Sequence, residues 1–180
     1  MYRILSASKD TYITNKIIKN SFRAIDGNTG EAGTLDLFKL YAESISGSDT
    51  APRELTRLLT YFDLSGVSSM HNNNVIDVGS ESFKAYIKLH DVYGGQTTPN
   101  NFKLICFPLS QSFDEGIGRD IVEFKDLDVT NWLTASVSSG VVKKWNSPGA
   151  MSSGSLGDEN IDVIVNGTIS GQTSAIPLFG

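Results

Sequence analysis

Apolar and polar residues alternate along much of this chain, most clearly over Ser82–Tyr93. Phe83, Ala85, Ile87 and Leu89 fall on one side of that run, and Lys84, Tyr86, Lys88 and His90 on the other. A period of two sends successive side chains to opposite faces of a pleated strand, so the run predicts a strand with one buried face. Asn101–Leu109 repeats the pattern with Phe102, Leu104 and Cys106, until Pro108 ends the ladder. The intervening GGQTTPNN is turn chemistry. The two strands are expected to form an antiparallel hairpin or to be neighbours in one sheet.

Shorter runs follow the same rule. Lys9–Thr14 places Thr11 and Ile13 opposite Tyr12, and Gly33–Tyr41 places Leu35, Leu37 and Lys39 opposite Asp36 and Phe38. The spacing in Leu55–Leu64 suits a short helix or a strand. Its β-branched and aromatic content, and the stop at Ser65-Gly66, favour the strand. Asp120–Phe124, Val129–Leu133, Val141–Trp145 and Ile161–Ile169 complete the set. About eight to ten short strands between Gly, Asn, Ser and Asp turns predict an all-β chain, an antiparallel, jelly-roll-like β-sandwich. Two loops, Lys19–Ala32 and Asn146–Asn160, exceed what simple hairpins need and are the places to look for function.

Composition narrows the class. At 180 residues one all-β domain with a real core is expected over residues 1–180. With 39% hydrophobic and 19% charged residues the chain is not charge-rich disorder. A net charge of -5 argues against a nucleic-acid partner, which needs clustered Lys and Arg. No apolar run reaches the roughly 18 residues of a membrane-spanning helix, and the opening MYRILSASKD is too short for a secretory signal core. Cys106 stands alone, which excludes a disulfide framework and reads as a small buried hydrophobe.

Candidate chemistry is sparse. Asp26, Asn28 and Glu31, with Gly30 between, partly match a calcium loop, because side-chain oxygens at alternate positions can converge on a hard cation. The bland reading is a solvated turn; calcium is the one ion left open, and no other cofactor is implied. His71 and His90 are far apart in sequence and offer no zinc ligand set. Adjacent Asp114 and Glu115 cannot face each other across a cleft as a glycosidase pair does. No G-x-S-x-G elbow or phosphate-cradling loop occurs, so no enzyme is expected. Trp132, Trp145 and Tyr93 form a candidate platform for stacking on sugar rings; alternatively the two tryptophans cap the core, each indole N–H meeting a loop carbonyl.

Several short motifs occur in a telling order: Asp10-Thr11-Tyr12, Phe62-Asp63-Leu64-Ser65, the alternating Ala85–Leu89, Phe113-Asp114-Glu115-Gly116 and Trp145-Asn146. This order resembles the DNRLRE-type jelly-roll modules, which are similar to carbohydrate-binding modules, with Asp10, Tyr12, Phe62, Asp63, Phe113, Asp114 and Glu115 as the signature. The chain from MYRILSASKD through YGGQTTPNNFKL and FPLSQSFDEG more closely resembles virion proteins of marine tailed bacteriophages. That resemblance implies a non-enzymatic particle component (head decoration, neck or tail) located in the virion and contacting other virion proteins. DNRLRE-type modules carry a further C-terminal strand block, and the sequence stops at IPLFG before it; either the protein is shorter than such modules or the sequence is part of a longer one. Sheet edges left open by its absence would need covering. A homo-oligomer or lattice-bound subunit is therefore expected, with a glycan-binding module for host attachment as the alternative.

Overall fold

Strand β1 (Lys9–Thr14) has the bounds its alternation predicts. A computed structural model describes residues 2–19, 22–41, 52–90, 92, 104–122, 129–166, 168–169 and 172–173. After β1 come β2 (Ile17–Ile18), β3 (Phe22–Arg23), β4 (Lys39–Tyr41), β5 (Pro52–Tyr61) and helix α1 (Ser65–Asn72). The second half holds β6 (Thr134–Ser138), β7 (Val141–Lys144), β8 (Ser153–Ser155), β9 (Val163–Asn166), β10 (Thr168–Ile169) and β11 (Gln172–Thr173). The described elements are thus mostly strands, with one short helix that is too short to cross a membrane.

β1, β5 and β4 form a three-stranded antiparallel sheet with β5 in the middle. The remaining strands pair two by two: β2 with β3, β6 with β7, β10 with β11, and β8 with β9. The β8–β9 pair is parallel, so the expectation of purely antiparallel pairing is corrected there. The β6–β7 hairpin turns on Ser139 and Gly140, both at positive φ (52° and 77°), which matches the right-handed twist of its strands.

The β1–β5 ladder is a wall between two small cores. Ile13 and Leu59 on one face join Phe113, Trp132, Ala135, Trp145 and Ala150. Tyr12 on the other face joins Ile18, Ala24 and Ile121, with Leu58, its cross-strand partner, packed alongside. Thr11 to Thr14 are therefore all buried, and β1 hides both faces where its sequence predicts one. The hydrophobic gain at about 25 cal/mol per Å² is collected on both sides of one short strand.

Other expectations need correction. Ser82–His90 is not a strand; Phe83, Tyr86, Ile87 and Leu89 are exposed. Period two makes a run fit for pairing without supplying a partner. Residues 104–108 form no strand either, so the predicted hairpin is not made among the described residues; Leu109 alone bridges Val163, and Cys106 is half-buried. Pro108 still offers its carbonyl, which accepts the Ile164 N–H at 2.9 Å. Asn131 Oδ1 takes the N–H groups of Leu133 and Thr134, a local turn that displaces the strand predicted over Val129–Leu133 to Thr134 onward. Asp120 Oδ1 likewise takes the Val122 N–H, so no strand forms over 120–122. Of Gly33–Tyr41 only Lys39–Tyr41 pairs, and Ser65-Gly66 opens α1 instead of simply stopping a strand. The Ser65 N–H and hydroxyl hold the exposed Asp63 carboxyl below its usual range, a negative charge suited to the first helical turn. The GGQTTPNN turn, residues 101–103 and residues 123–124 lie outside the described residues.

Tyr12 gives the core a pH signature. Burial first, then the charges of Asp36 and Asp120, push its phenol from 10.0 up to about 12. The folded state therefore holds this proton more tightly than the unfolded chain. The associated stability is intact below pH 10 and is lost as pH rises through about 12. Urea unfolding is expected to lose about 2–3 kcal/mol over that window, and Tyr12→Phe to flatten the slope. A wild-type slope unchanged in Tyr12→Phe contradicts the assignment.

Candidate functional site

The turn Phe113-Asp114-Glu115-Gly116 meets the 26–31 loop and the 129–135 turn at the outer edge of β1. No strand pairs with β1 on that side in the described sheet. Side chains meet its backbone groups instead. Glu115 Oε1 accepts the Asp10 N–H at 2.9 Å. The Thr29 hydroxyl accepts the Tyr12 N–H at 3.1 Å and donates to the Tyr12 carbonyl at 2.9 Å. With that single proton committed to Tyr12, Thr11 must donate in the 3.1 Å contact between the two threonine hydroxyls.

Asn28 locks this edge. Its Nδ2 donates to the carbonyls of Glu115 and Thr130, both at 2.9 Å. Its Oδ1 accepts the N–H of Gly118 at 2.8 Å and of Gly30 at 3.3 Å. Both donors and both lone pairs of the carboxamide are thus used, in a residue with 0% exposure. The turn can come this close because residue 116 is glycine: its φ is +77°, and a Cβ there would lie 2.4 Å from Asn28 Oδ1.

Asp114 acts as Glu115 does, on another strand. Its Oδ2 accepts the Val137 N–H of β6 at 2.6 Å, while its own N–H goes to the Thr130 hydroxyl at 2.7 Å. Arg119 pairs with Glu31 at 3.2 Å on the surface, not with either turn carboxylate. Phe113 is buried in the core cluster.

Of the calcium candidates, Asn28 and Glu31 are turned to protein partners. The Asn28 oxygen is occupied by two N–H groups, and Glu31 by Arg119. Among the described residues no three His, Cys, Asp or Glu side chains gather as around a metal. The sugar platform fares no better. Trp132 and Trp145 are 6% and 4% exposed, and the Trp145 indole N–H donates to the Asn131 carbonyl at 2.9 Å. They are core residues and offer no face for stacking. Tyr93 lies outside the described residues.

A second polar node, unforeseen in the sequence, closes the other end of the tryptophan core. Asp162, fully buried, accepts bonds from Gln111 Nε2, the Asn146 N–H and Asn146 Nδ2 on Oδ1, and from the Ser147 and Ser152 N–H groups on Oδ2. Burial pushes the Arg57 guanidinium below its usual value, against the pull of the Asp162 charge; Arg57 also donates to the Ala150 carbonyl. An open hollow of about 450 Å³ lies beside this node, lined by Lys143, Lys144, Asn146 and Asp158. Asp162, at 0% exposure, cannot reach a ligand there. The one legible hint was Asn146 after Trp145, since a carboxamide next to a core tryptophan can bind locally.

Compared with known proteins, the chain matches no family model, no curated protein and no solved structure.

Two stability predictions follow from these nodes. Asn28→Ala leaves the Glu115 and Thr130 carbonyls and the Gly118 N–H without their partner, and urea unfolding should show a loss of about 3–5 kcal/mol. Glu31→Ala, at a solvent-exposed ion pair, should cost less than about 1 kcal/mol. Equal losses for the two would contradict this placement of Asn28. Asp162→Asn turns an acceptor oxygen into an amide NH2 facing donors, and a loss of about 3–5 kcal/mol is expected in the same measurement. A loss below about 1 kcal/mol would show that the node is not what holds Asn146 and Ser152 together.

Proposed function

We propose that this protein is a non-enzymatic structural component of a tailed-bacteriophage virion, in the head decoration, neck or tail, acting through protein–protein contacts. In this reading its small sheets close as a jelly-roll-like sandwich. One observation carries the scaffold part. The carboxylates of the Phe113–Gly116 turn face inward and hold the backbone of β1 and β6, through the Asp10 and Val137 N–H groups. A carboxylate that accepts a backbone bond at each strand edge is an architectural group, and it is not presented to a substrate. The stretches from MYRILSASKD through YGGQTTPNNFKL and FPLSQSFDEG support the virion part, by their resemblance to virion proteins of marine tailed bacteriophages.

Exposed apolar residues support contact with neighbours. Tyr86, Ile87, Leu89, Val92, Ile105 and Phe107 all stand in solvent within one stretch of chain. Grouped apolar exposure of this kind marks interaction surfaces. Glycan attachment through the tryptophans loses its support, because both rings are buried.

The reading is tested on particles. Mass spectrometry of gradient-purified virions from the phage encoding this chain should detect it at a fixed ratio to the major capsid protein. Its absence from washed particles, with abundant free protein in the lysate, would overturn the assignment.

A further inference from the structure

The β6–β7 hairpin is closed along one side only. Ser138 and Val141 flank its two-residue turn as a hydrogen-bonded pair. The next pair, Val137 and Val142, therefore points its N–H and C=O groups away from the hairpin. On β6 the outward groups are met. Asp114 accepts the Val137 N–H at 2.6 Å, and the Thr130 hydroxyl donates to the Ala135 carbonyl at 2.6 Å. On β7 no partner meets the outward groups of Val142 among the described residues, and β7 pairs with β6 alone.

This edge is also exposed and charged. All four residues of β7 stand in solvent, Val141 at 69% and Val142 at 44%. Lys143 and Lys144 follow, and neither is paired with a carboxylate among the described residues. They are adjacent cations in a chain whose formal net charge is -5. The open hollow beside them has Asp158 in its lining, and Asp158 Oδ2 is taken by the Ser155 N–H at 2.6 Å.

We propose that β7 is the docking edge for an acidic, extended segment of a partner protein, which adds to the hairpin as a further strand. The outward N–H and C=O of Val142 call for main chain, which a strand supplies and a bare anion does not. The side chains set the composition. Residues two apart share a face, so each face of β7 presents one valine followed by one lysine. An antiparallel segment fits when two acids lie opposite Lys144 and Lys143, followed by two branched apolar residues opposite Val142 and Val141. A second copy of β7 fits worse, because it would bring the lysine pairs of both copies to one seam; lysines on an edge strand oppose such self-pairing.

This inference names the chemistry of the contact in the proposed function and rests on that reading for its biological setting. Its test uses isolated protein and a synthetic probe, so either can fail alone.

The probe is a threonine-flanked peptide with a Glu-Glu-Val-Val core, titrated into the full chain and followed by fluorescence anisotropy and amide hydrogen exchange. It should bind, more weakly as salt is raised, and protect the Val142 N–H, which exchanges freely without it. Lys143→Glu combined with Lys144→Glu should weaken binding about tenfold or more and transfer the preference to a Lys-Lys-Val-Val peptide. Val142→Pro removes an outward donor, which an edge strand tolerates, and should also weaken binding about tenfold. Absence of binding overturns the proposal, as does equal binding of the acidic and basic peptides, or binding that leaves Val142 exchanging freely. A peptide-free dimer in light scattering, with Val142 already protected, would give the edge to a second copy and overturn it equally. If Val142→Pro unfolds the chain, exchange at Val142 in the wild type decides.

Discussion

β1 is a sheet edge closed by side chains, and the remainder of the described structure is arranged to keep it closed. Its outer N–H and C=O groups would otherwise need water or another strand. Thr29 and Glu115 meet them, and both are held in place by the carboxamide of Asn28, which ties the 28–30 loop to the 115–118 turn and to Thr130. A buried amide with every donor and acceptor used is specific in direction as well as favourable, because any shift of one segment leaves a polar group unpaired. The closure also explains how so short a strand can be buried on both faces. With β1 fixed, Ile13 anchors one core and Tyr12 the other.

The same device recurs at the other end of the tryptophan core. Asp162 gathers Gln111, Asn146, Ser147 and Ser152, and Asn131 orders the turn under Trp145. Between these nodes the strands are short and the sheets small. Much of the coherence of the described fold therefore comes from directional bonds between loops, with the apolar clusters filling the space they enclose. Apolar side chains stand exposed around Tyr86, and β4 is the last strand of the described sheet.

Sequence patterning read some of this well. The bounds of β1 follow from its alternation, and the β-branched and aromatic content of Leu55–Leu64 points to a strand, which runs over Pro52–Tyr61. It misread places where a side chain outcompetes the ladder: Asn131 and Asp120 bend the backbone at positions that look like strand starts. Asn28 was singled out, but for calcium, since oxygen-rich loops look alike whether they bind an ion or their own backbone. Burial of the tryptophans was one of two readings the sequence left open, and the 2.9 Å bond from the Trp145 indole to Asn131 decides it. The role of Asp162 as a buried joint was not legible, because its five donors come from three separate stretches of chain.

By itself the sequence determined that this protein is strand-rich, the bounds of β1, and the existence of β5 as a strand. Those properties depend on the local period and on turn chemistry, which each segment carries alone. Only the tertiary structure decided which strands find partners, which polar side chains become buried joints, and that β1 is walled by two cores. Those outcomes depend on contacts between segments up to about a hundred residues apart, such as Asp10 with Glu115 and Asn28 with Thr130. The run at Ser82–His90 shows the division plainly. Its alternation prescribes a strand, but whether that strand is formed depends on a sheet edge that its own residues do not supply.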